Sequence, residues 1–401
     1  MSRSDAYIVS PLRTGIGKFG GGLMSLKAEE LAAFMINKIV ENTQVPTELI
    51  EEVVVSQSYQ SSEAPCMGRY AGNLAGLPVE IPGYTVDRRC GSGVQALVDA
   101  AMQVQTGVLD CAMVVGVESM SNIEFYTTDM RWGKRLGSVH LHDRLESGRV
   151  RSQPESRFGK FSGPIETAEI LAREYGITRE ESDAFAVGSH QKAMAAWRDG
   201  KFEKEVVAVP VPQRRGDPIL FKEDQGIRAD ASAEVMAGLR PIMSGGTVTA
   251  GNASQQNDAA AGCLVVSEDF LKKTGLTPMA RLVGWSAAGC DPFKMGIGPV
   301  PAVARLMPKI GLSLDDMGII EVNEAFAAQV LAVLKEWNIP ADDPRLNPNG
   351  SGISLGHPIG ATGLRILTTM LHEMERTNAR YGLESMCIGG GQGMAAVFER
   401  V

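Results

Sequence analysis

Two spacings of apolar residues take turns along this chain. Short, nearly continuous apolar runs at Tyr7–Val9, Glu52–Ser56, Ala112–Gly116, Gly262–Ser267, Gly318–Asn323 and Met386–Gly389 predict buried strands. Longer segments at Ala28–Glu41, Gly93–Thr106, Arg179–Asp199, Gly298–Lys309, Glu324–Trp337 and Gly360–Arg376 predict helices, with one buried face each in Ala28–Glu41 and Arg179–Asp199. Strands that alternate with helices in this way predict an α/β protein with buried parallel strands.

A faint internal repeat sharpens that picture. Pro46–Val55 and Leu312–Val322 each run from a short polar cap into a buried strand, and Ala112–Gly116 and Ser385–Gly389 each carry a strand into glycine. Two related α/β halves follow. Between them, residues 131–160 hold eight Lys and Arg against three acids, a basic island in a chain of net charge -8. It reads as a solvated loop, a subunit contact or a site for an anionic cofactor.

Composition narrows the function classes. A length of 401 residues exceeds one ordinary hydrophobic core, and 44% hydrophobic with 21% charged residues describes a folded chain. The acidic balance argues against a nucleic-acid partner, which needs a basic face. Met1–Ser10 lacks the apolar stretch of a signal peptide, and no apolar run is long enough to span a bilayer, so no membrane partner and a cytoplasmic location are expected. Six cysteines without a CxxC pair suggest reduced thiols and no metal site.

Four constellations carry chemistry. In Val86–Ala96 an extended run ends at Cys90 and a helix begins, a place where unpaired N–H groups and the helix dipole favour a thiolate. Gly91 and Gly93, on either side of Ser92, would let a substrate carbonyl approach the backbone; the bland alternative is a buried structural cysteine. In Asn347–Gly363, His357 stands between Gly and Pro in a glycine-rich loop, which suits a base or an oxyanion donor better than a core position. In Met386–Gly393, Cys387 precedes a glycine run able to aim N–H groups at an oxyanion, without the spacing of a dinucleotide or phosphate loop. At Asn323–Ala327 a strand meets a helix, and Asn323 alone reads best as that helix's cap.

Together these four resemble the thiolase family. The resemblance runs from Arg13-Thr14 and Gly17–Gly21, through Gly251–Ser254, Asn257-Asp258, Asp291-Pro292, Met295-Gly296 and Gly298-Pro299, to the last glycine-rich strand, and so covers nearly the whole chain. It implies a five-layer αβαβα sandwich of two similar halves with an inserted loop domain: 1–120 plus 245–270 for the first half, 121–244 for the insert, 271–401 for the second. It implies Cys90 as acyl-accepting nucleophile, His357 as its base and Cys387 as the second, proton-moving thiol. Asn323 would hold a water that forms one oxyanion hole with His357, and the N–H groups of Cys90 and Gly389 would form the other. Ser254, Arg228, Ala250 and Met295 would contact coenzyme A, which is a substrate; no tightly bound cofactor is implied. The family's members are usually dimers or tetramers, and the activity implied is thiolytic cleavage of 3-ketoacyl-CoA or the reverse Claisen condensation of acyl-CoA.

This chain departs from the family pattern at Asp87 (usually Asn), at Gln255 and Gln256 (usually smaller or apolar), and at Ser351 (usually Gly). Phe161–Glu169 also lacks the His-Met or Met-Gly pattern usual where the acyl pocket is shaped. Two other readings stand beside this one. A decarboxylating ketoacyl synthase shares the architecture but has no second catalytic thiol, and an inactive acyl-CoA-binding protein would need neither Cys90 nor His357.

Overall fold

The computed structural model describes residues 5–401; Met1–Ser4, at the start of the first expected half, lie outside the described residues. The first half comprises β1 (Ala6–Thr14), α1 (Ala28–Thr43), β2 (Glu52–Ser56), α2 (Met67–Leu74), β3 (Gly83–Val86), α3 (Ser92–Gln105) and β4 (Cys111–Ser119). An excursion with α4 (Arg144–Val150), α5 (Pro164–Glu174) and α6 (Arg179–Arg198) returns to β5 (Asn257–Ser267). The second half comprises β6 (Ala280–Gly289), α7 (Pro299–Ile310), β7 (Ile319–Val322), α8 (Ala327–Trp337), α9 (Ile359–Thr377), β8 (Tyr381–Ile388) and β9 (Gln392–Arg400).

The strands lie in the order β7-β8-β9-β6-β1-β5-β4-β2-β3, the two halves joining where β1 meets β6 at Tyr7–Arg281 and Ile8–Ala280. Within this order β3, β2 and β4 run parallel, as do β7 and β8, while β5, β1, β6 and β9 run antiparallel to the strands beside them; off the path, Val206–Val207 pairs in parallel with the end of β1. The expected buried parallel strands are thus found in these two groups, within one continuous mixed sheet whose two halves meet at β1 and β6 and face the same middle layer. β6 and β9 escape the sequence reading because each carries a single β-branched residue, Val283 or Val397, diluted among Ala and Gly.

Burial on both faces explains the near-continuous apolar strands. Along β4, Ala112 and Val114 face one core while Cys111, Met113, Val115 and Val117 face another. The first core is the middle of the molecule: α3 and α9 lie there, with Val94, Leu97 and Ala101 packed among Leu364, Leu367 and Met370 between both sheets. Helices α1 and α2 cover the outer face of the first sheet, and α7 and α8 cover the second. The result is five layers, helices alternating with sheets.

The middle layer fits only because two glycines face each other. A Cβ on Gly93 would lie 2.7 Å from the backbone nitrogen of Leu364 and 2.9 Å from the Cα of Gly363. Gly91 is filled from the other side, with the Ile388 side chain 2.5 Å from its missing Cβ. The glycines around Ser92 thus serve helix packing, which corrects the expectation that they open the backbone to substrate. The excursion is anchored by Arg13, fully buried, whose guanidinium pairs with Glu205 at 2.6 Å and Asp224 at 2.8 Å. Among the described residues, no helix is long and apolar enough to cross a membrane.

Replacing Gly363 by Ala places a Cβ 2.5 Å from the Val94 nitrogen. The expected cost is about 1–3 kcal/mol of stability, from overpacking against backbone that cannot swing away. Denaturant titration measures it; an unchanged midpoint would show that the helices separate freely.

Candidate active site

The chain before α3 turns sharply, with Arg89 in the left-handed region at φ 51°. The Ser92 hydroxyl closes the turn, donating to the Arg89 carbonyl at 2.6 Å and accepting from the Arg88 N–H at 2.8 Å. Cys90 sits in the short 3-10 turn Arg89–Gly91 ahead of α3. Across the middle layer, the loop before α9 carries His357. Asn257 holds that loop, accepting the His357 N–H at 2.9 Å and donating to the Gly17 carbonyl at 3.0 Å. Gly356 has φ 122° and presses on the Asn257 amide, so no side chain fits there.

These two helix starts bring His357 Nε2 to 3.3 Å from Cys90 Sγ. The imidazole's other nitrogen, Nδ1, lies 2.6 Å from the Thr362 hydroxyl, which itself donates to the Pro358 carbonyl at 3.0 Å. With its proton committed, the hydroxyl accepts from Nδ1–H, and Nε2 keeps its lone pair toward the thiol. Thr362, inside the quoted glycine-rich motif, is a positioning residue that the sequence reading missed. Its signal is position, five residues after His357 and one helical turn beyond Pro358.

Asn323 Nδ2 lies 3.4 Å from His357 Nε2. It does not cap a helix, which corrects that reading: the chain turns at Ala325, whose N–H donates to the Asn323 carbonyl at 3.1 Å, and Phe326 bridges to Ala253 in the Gly251–Ser254 segment, delaying α8 to Ala327. The same pairing fixes Ser254, whose N–H donates to the Ala325 carbonyl at 2.9 Å. The N–H groups of Gly389 and of Cys90 itself are directed at the Cys90 sulfur.

Cys387 ends β8, fully buried in a small apolar cluster with Ala168, Val248, Ala253, Met295 and Phe326. Met295 therefore lines the wall around the second thiol. Burial pushes the Cys387 thiol well up, and Cys90 and then Cys290 push it further. Cys290, also missed in the sequence, is a third thiol at this site, raised to about 11 by burial. Arg228 and Ala250 stand together, Nη2 of the arginine donating to the Ala250 carbonyl at 3.0 Å.

Burial decides the resting protonation of the pair. It raises the Cys90 thiol to about 11, against the opposing N–H groups and Arg89. It lowers His357 to about 3, aided by Arg365 and Arg149. The expected thiolate is thus corrected to a neutral thiol beside a neutral imidazole: a buried site disfavours the ion pair more than the helix start favours it. The site can pass one proton from sulfur to Nε2 as charge develops on a substrate, and it offers N–H donors where an oxyanion would form.

Comparison with known proteins gives concordant matches. The thiolase N-terminal domain family model matches residues 6–269 and the thiolase C-terminal domain model residues 276–400. An acetyl-CoA acetyltransferase of Cupriavidus necator is 43% identical over 398 residues, covering 99% of this chain and 100% of its own. The crystal structure of the Bacillus anthracis acetyl-CoA acetyltransferase superposes with a TM-score of 0.94 at 40% identity, covering 100% of both chains. The human mitochondrial 3-ketoacyl-CoA thiolase in complex with CoA superposes with a TM-score of 0.93 at 36% identity, covering 99% of this chain and 98% of its own.

Two measurements test the pair. In a nitrogen-15 titration, His357 should stay neutral with its proton on Nδ1 from pH 8 to pH 5, because its folded pKa lies below the ordinary 6.5. By linkage, its neutral burial stabilises the fold above 6.5, and that contribution fades as pH falls toward about 3. A midpoint near 6.5 contradicts the neutral pair. Thr362→Val should slow formation of the acyl-enzyme on the order of tenfold or more, and Thr362→Ser should restore it; equal rates in both variants would remove Thr362 from the site.

Proposed function

The chain belongs to the thiolase family, and on that premise we propose that Cys90 carries the acyl group in CoA-dependent cleavage of 3-ketoacyl-CoA and in its reversal, the Claisen condensation. The observation that carries the assignment is the 3.3 Å contact of Cys90 Sγ with an Nε2 whose lone pair is kept free by Thr362. In the cleavage direction, Cys90 sulfur attacks the 3-keto carbon while its proton passes to His357 Nε2. The oxyanion faces the N–H groups of Cys90 and Gly389. Collapse breaks the bond between C2 and C3 and leaves an acyl-Cys90 thioester and the enolate of acetyl-CoA.

The enolate oxygen meets the protonated Nε2 and a water on Asn323, whose Oδ1 has no protein donor among the described residues. Enolate charge offsets the cost of a buried imidazolium, so the proton transfer is favourable only while substrate is present. Cys387 gives its thiol proton to C2. Its thiolate then takes the proton of an incoming CoA thiol, and CoA sulfur displaces the shortened acyl group. Cys90 recovers its proton from His357, which balances the cycle. Two thiols with raised pKa values suit two successive proton transfers at poorly acidic centres. This need for Cys387 sets the reading apart from that of a ketoacyl synthase.

Arg228, Ala250, Ser254 and Met295 make the proposed approach for CoA. The Ala253–Phe326 bridge holds Ser254 beside the Cys387 cluster, where the thiol end of CoA must arrive, while the Arg228 guanidinium is already oriented by the Ala250 carbonyl. A homodimer or homotetramer is proposed for a physical reason. The hairpin excursion between Phe125 and Leu141 exposes Phe125, Trp132, Leu136 and Leu141, with Trp132 95% exposed. A cytoplasmic setting suits a site with three neighbouring free thiols.

The separate duties of the thiols give the test. Cys387→Ala should still gain the acyl mass from acetyl-CoA on Cys90, while condensation falls by roughly 10²–10⁴-fold through loss of the proton carrier. A folded Cys387→Ala that takes up no acyl group, or one that condenses at the normal rate, would refute this division.

A further inference from the structure

One arginine of the basic island does not behave as a surface charge. Helix α4 is drawn under the nucleophile's turn: Asp143 caps it by accepting from the Leu145 N–H at 2.8 Å, and Arg89 Nη1 donates to the Gly148 carbonyl at 2.9 Å. Gly148 has no room for a side chain, its missing Cβ lying 2.6 Å from the Tyr59 ring. Ser152 then runs beside the glycine turn after Cys387, its carbonyl 3.0 Å from the missing Cβ of Gly390. The last turn of α4 therefore holds Arg149, half-buried, between the Cys90 turn and Gln256, whose neighbour Asn257 accepts the His357 N–H.

The partner of the Arg149 guanidinium is neutral. With the Gln256 amide turned to present its oxygen, Nη1 and Nη2 of Arg149 lie 3.0 and 2.7 Å from that oxygen. Two of five donors are used on a neutral group. Among the described residues, Arg149 has no carboxylate within ion-pair distance, whereas Arg13, Arg144, Arg179, Arg281 and Arg345 each have one. The cation is also felt at the reaction centre: it adds to the burial and Arg365 that lower His357, and it opposes the burial that raises Tyr59. A half-buried cation left without an anion beside a base is costly, and an anionic ligand would offset that cost. The phosphates of CoA cannot be that ligand, because the pantetheine arm separates them from the thiol that must reach Cys90.

We infer that Arg149, oriented by Gln256, receives a carboxylate at the far end of the acyl chain, so that the preferred substrates are CoA thioesters of short 3-ketodicarboxylic acids. This rests on the thiolase reading and deepens it. Gln256 is one of the positions where the chain departs from its family, and its amide does what a smaller or apolar residue could not: it fixes the guanidinium plane for a paired contact with two carboxylate oxygens.

The test compares two substrates of equal length, 3-ketoadipyl-CoA and 3-ketohexanoyl-CoA, which differ in a terminal carboxylate against a methyl group. For the full-length enzyme, kcat/KM should favour the dicarboxylate by about tenfold or more. In Arg149→Gln that ratio should fall at least tenfold, with a smaller fall in Arg149→Lys, whose point charge lacks the planar fork. A wild-type ratio at or below one overturns the inference, as does an equal loss on both substrates in Arg149→Gln. If Arg149→Gln does not fold, the wild-type ratio and Arg149→Lys still decide. Failure of the wild-type protein to cleave either substrate or acetoacetyl-CoA would instead reject the thiolase reading beneath it.

Discussion

The near contact of two helix starts, backbone against backbone at Gly93 and Gly363, is the constraint on which the site depends. Each helix ends a sequence of turns that aims one reactive side chain, Cys90 from the first half and His357 from the second. The His357 loop is also tied to the first half by Asn257, which accepts the His357 N–H at 2.9 Å, and by Glu118, which accepts the Gly360 N–H. A methyl group at either glycine separates the helix axes, and the 3.3 Å between sulfur and Nε2 has little slack for proton transfer. Gly91 and Ile388 set the second coordinate, seating the Cys90 turn on the strand that ends in Cys387.

The same layer sets the electrostatics. Because α3 and α9 lie between two sheets, their starts open into protein rather than water, and burial overrides the helix dipole at Cys90. What survives is directional: N–H groups aimed at the sulfur, a tautomer fixed by Thr362, a carboxylate at Glu118 that accepts the Gly360 N–H at 2.8 Å. Such groups do little for a resting neutral pair and much for charge that appears during reaction.

The strands Glu52–Ser56 and Cys111–Ser119 and the helices around Arg179–Arg198 and Ile359–Thr377 were legible because their apolar spacing leaves one solution. So were Cys90, His357 and Cys387, each of which stands beside a run of glycines where a strand ends or a helix begins. Legibility failed where meaning comes from partners distant in sequence. Asn323 looks like a cap until residues 325–327 are seen paired with 252–254. Gly91 and Gly93 look like space for a ligand until the other helix fills it. Thr362 is marked only by its spacing from His357 and Pro358, Arg149 only as one charge of the basic island, and Cys290 not at all; the folded chain alone shows what they stand beside. The second half also differs from the first in one strand: where β3 pairs with β2, its counterpart shrinks to a single bridge between Ile320 and Leu346. The residues so released form the loop that carries His357, a loss that a repeat read from sequence does not register.

The shared middle layer has a consequence for how the molecule comes into being. Synthesis proceeds from the amino end, and α3 leaves the ribosome long before α9, residues 359–377, is made. Until then the inner face of the first sheet and the apolar side of α3 have no cover, even after β5 has closed that sheet at residue 267. A nascent chain in this state shows open apolar surface for more than a hundred residues of elongation, the condition under which aggregation competes with folding and holding chaperones act. Completion is late and nearly simultaneous for both halves, so the ribosome releases a chain whose last helix is also its keystone.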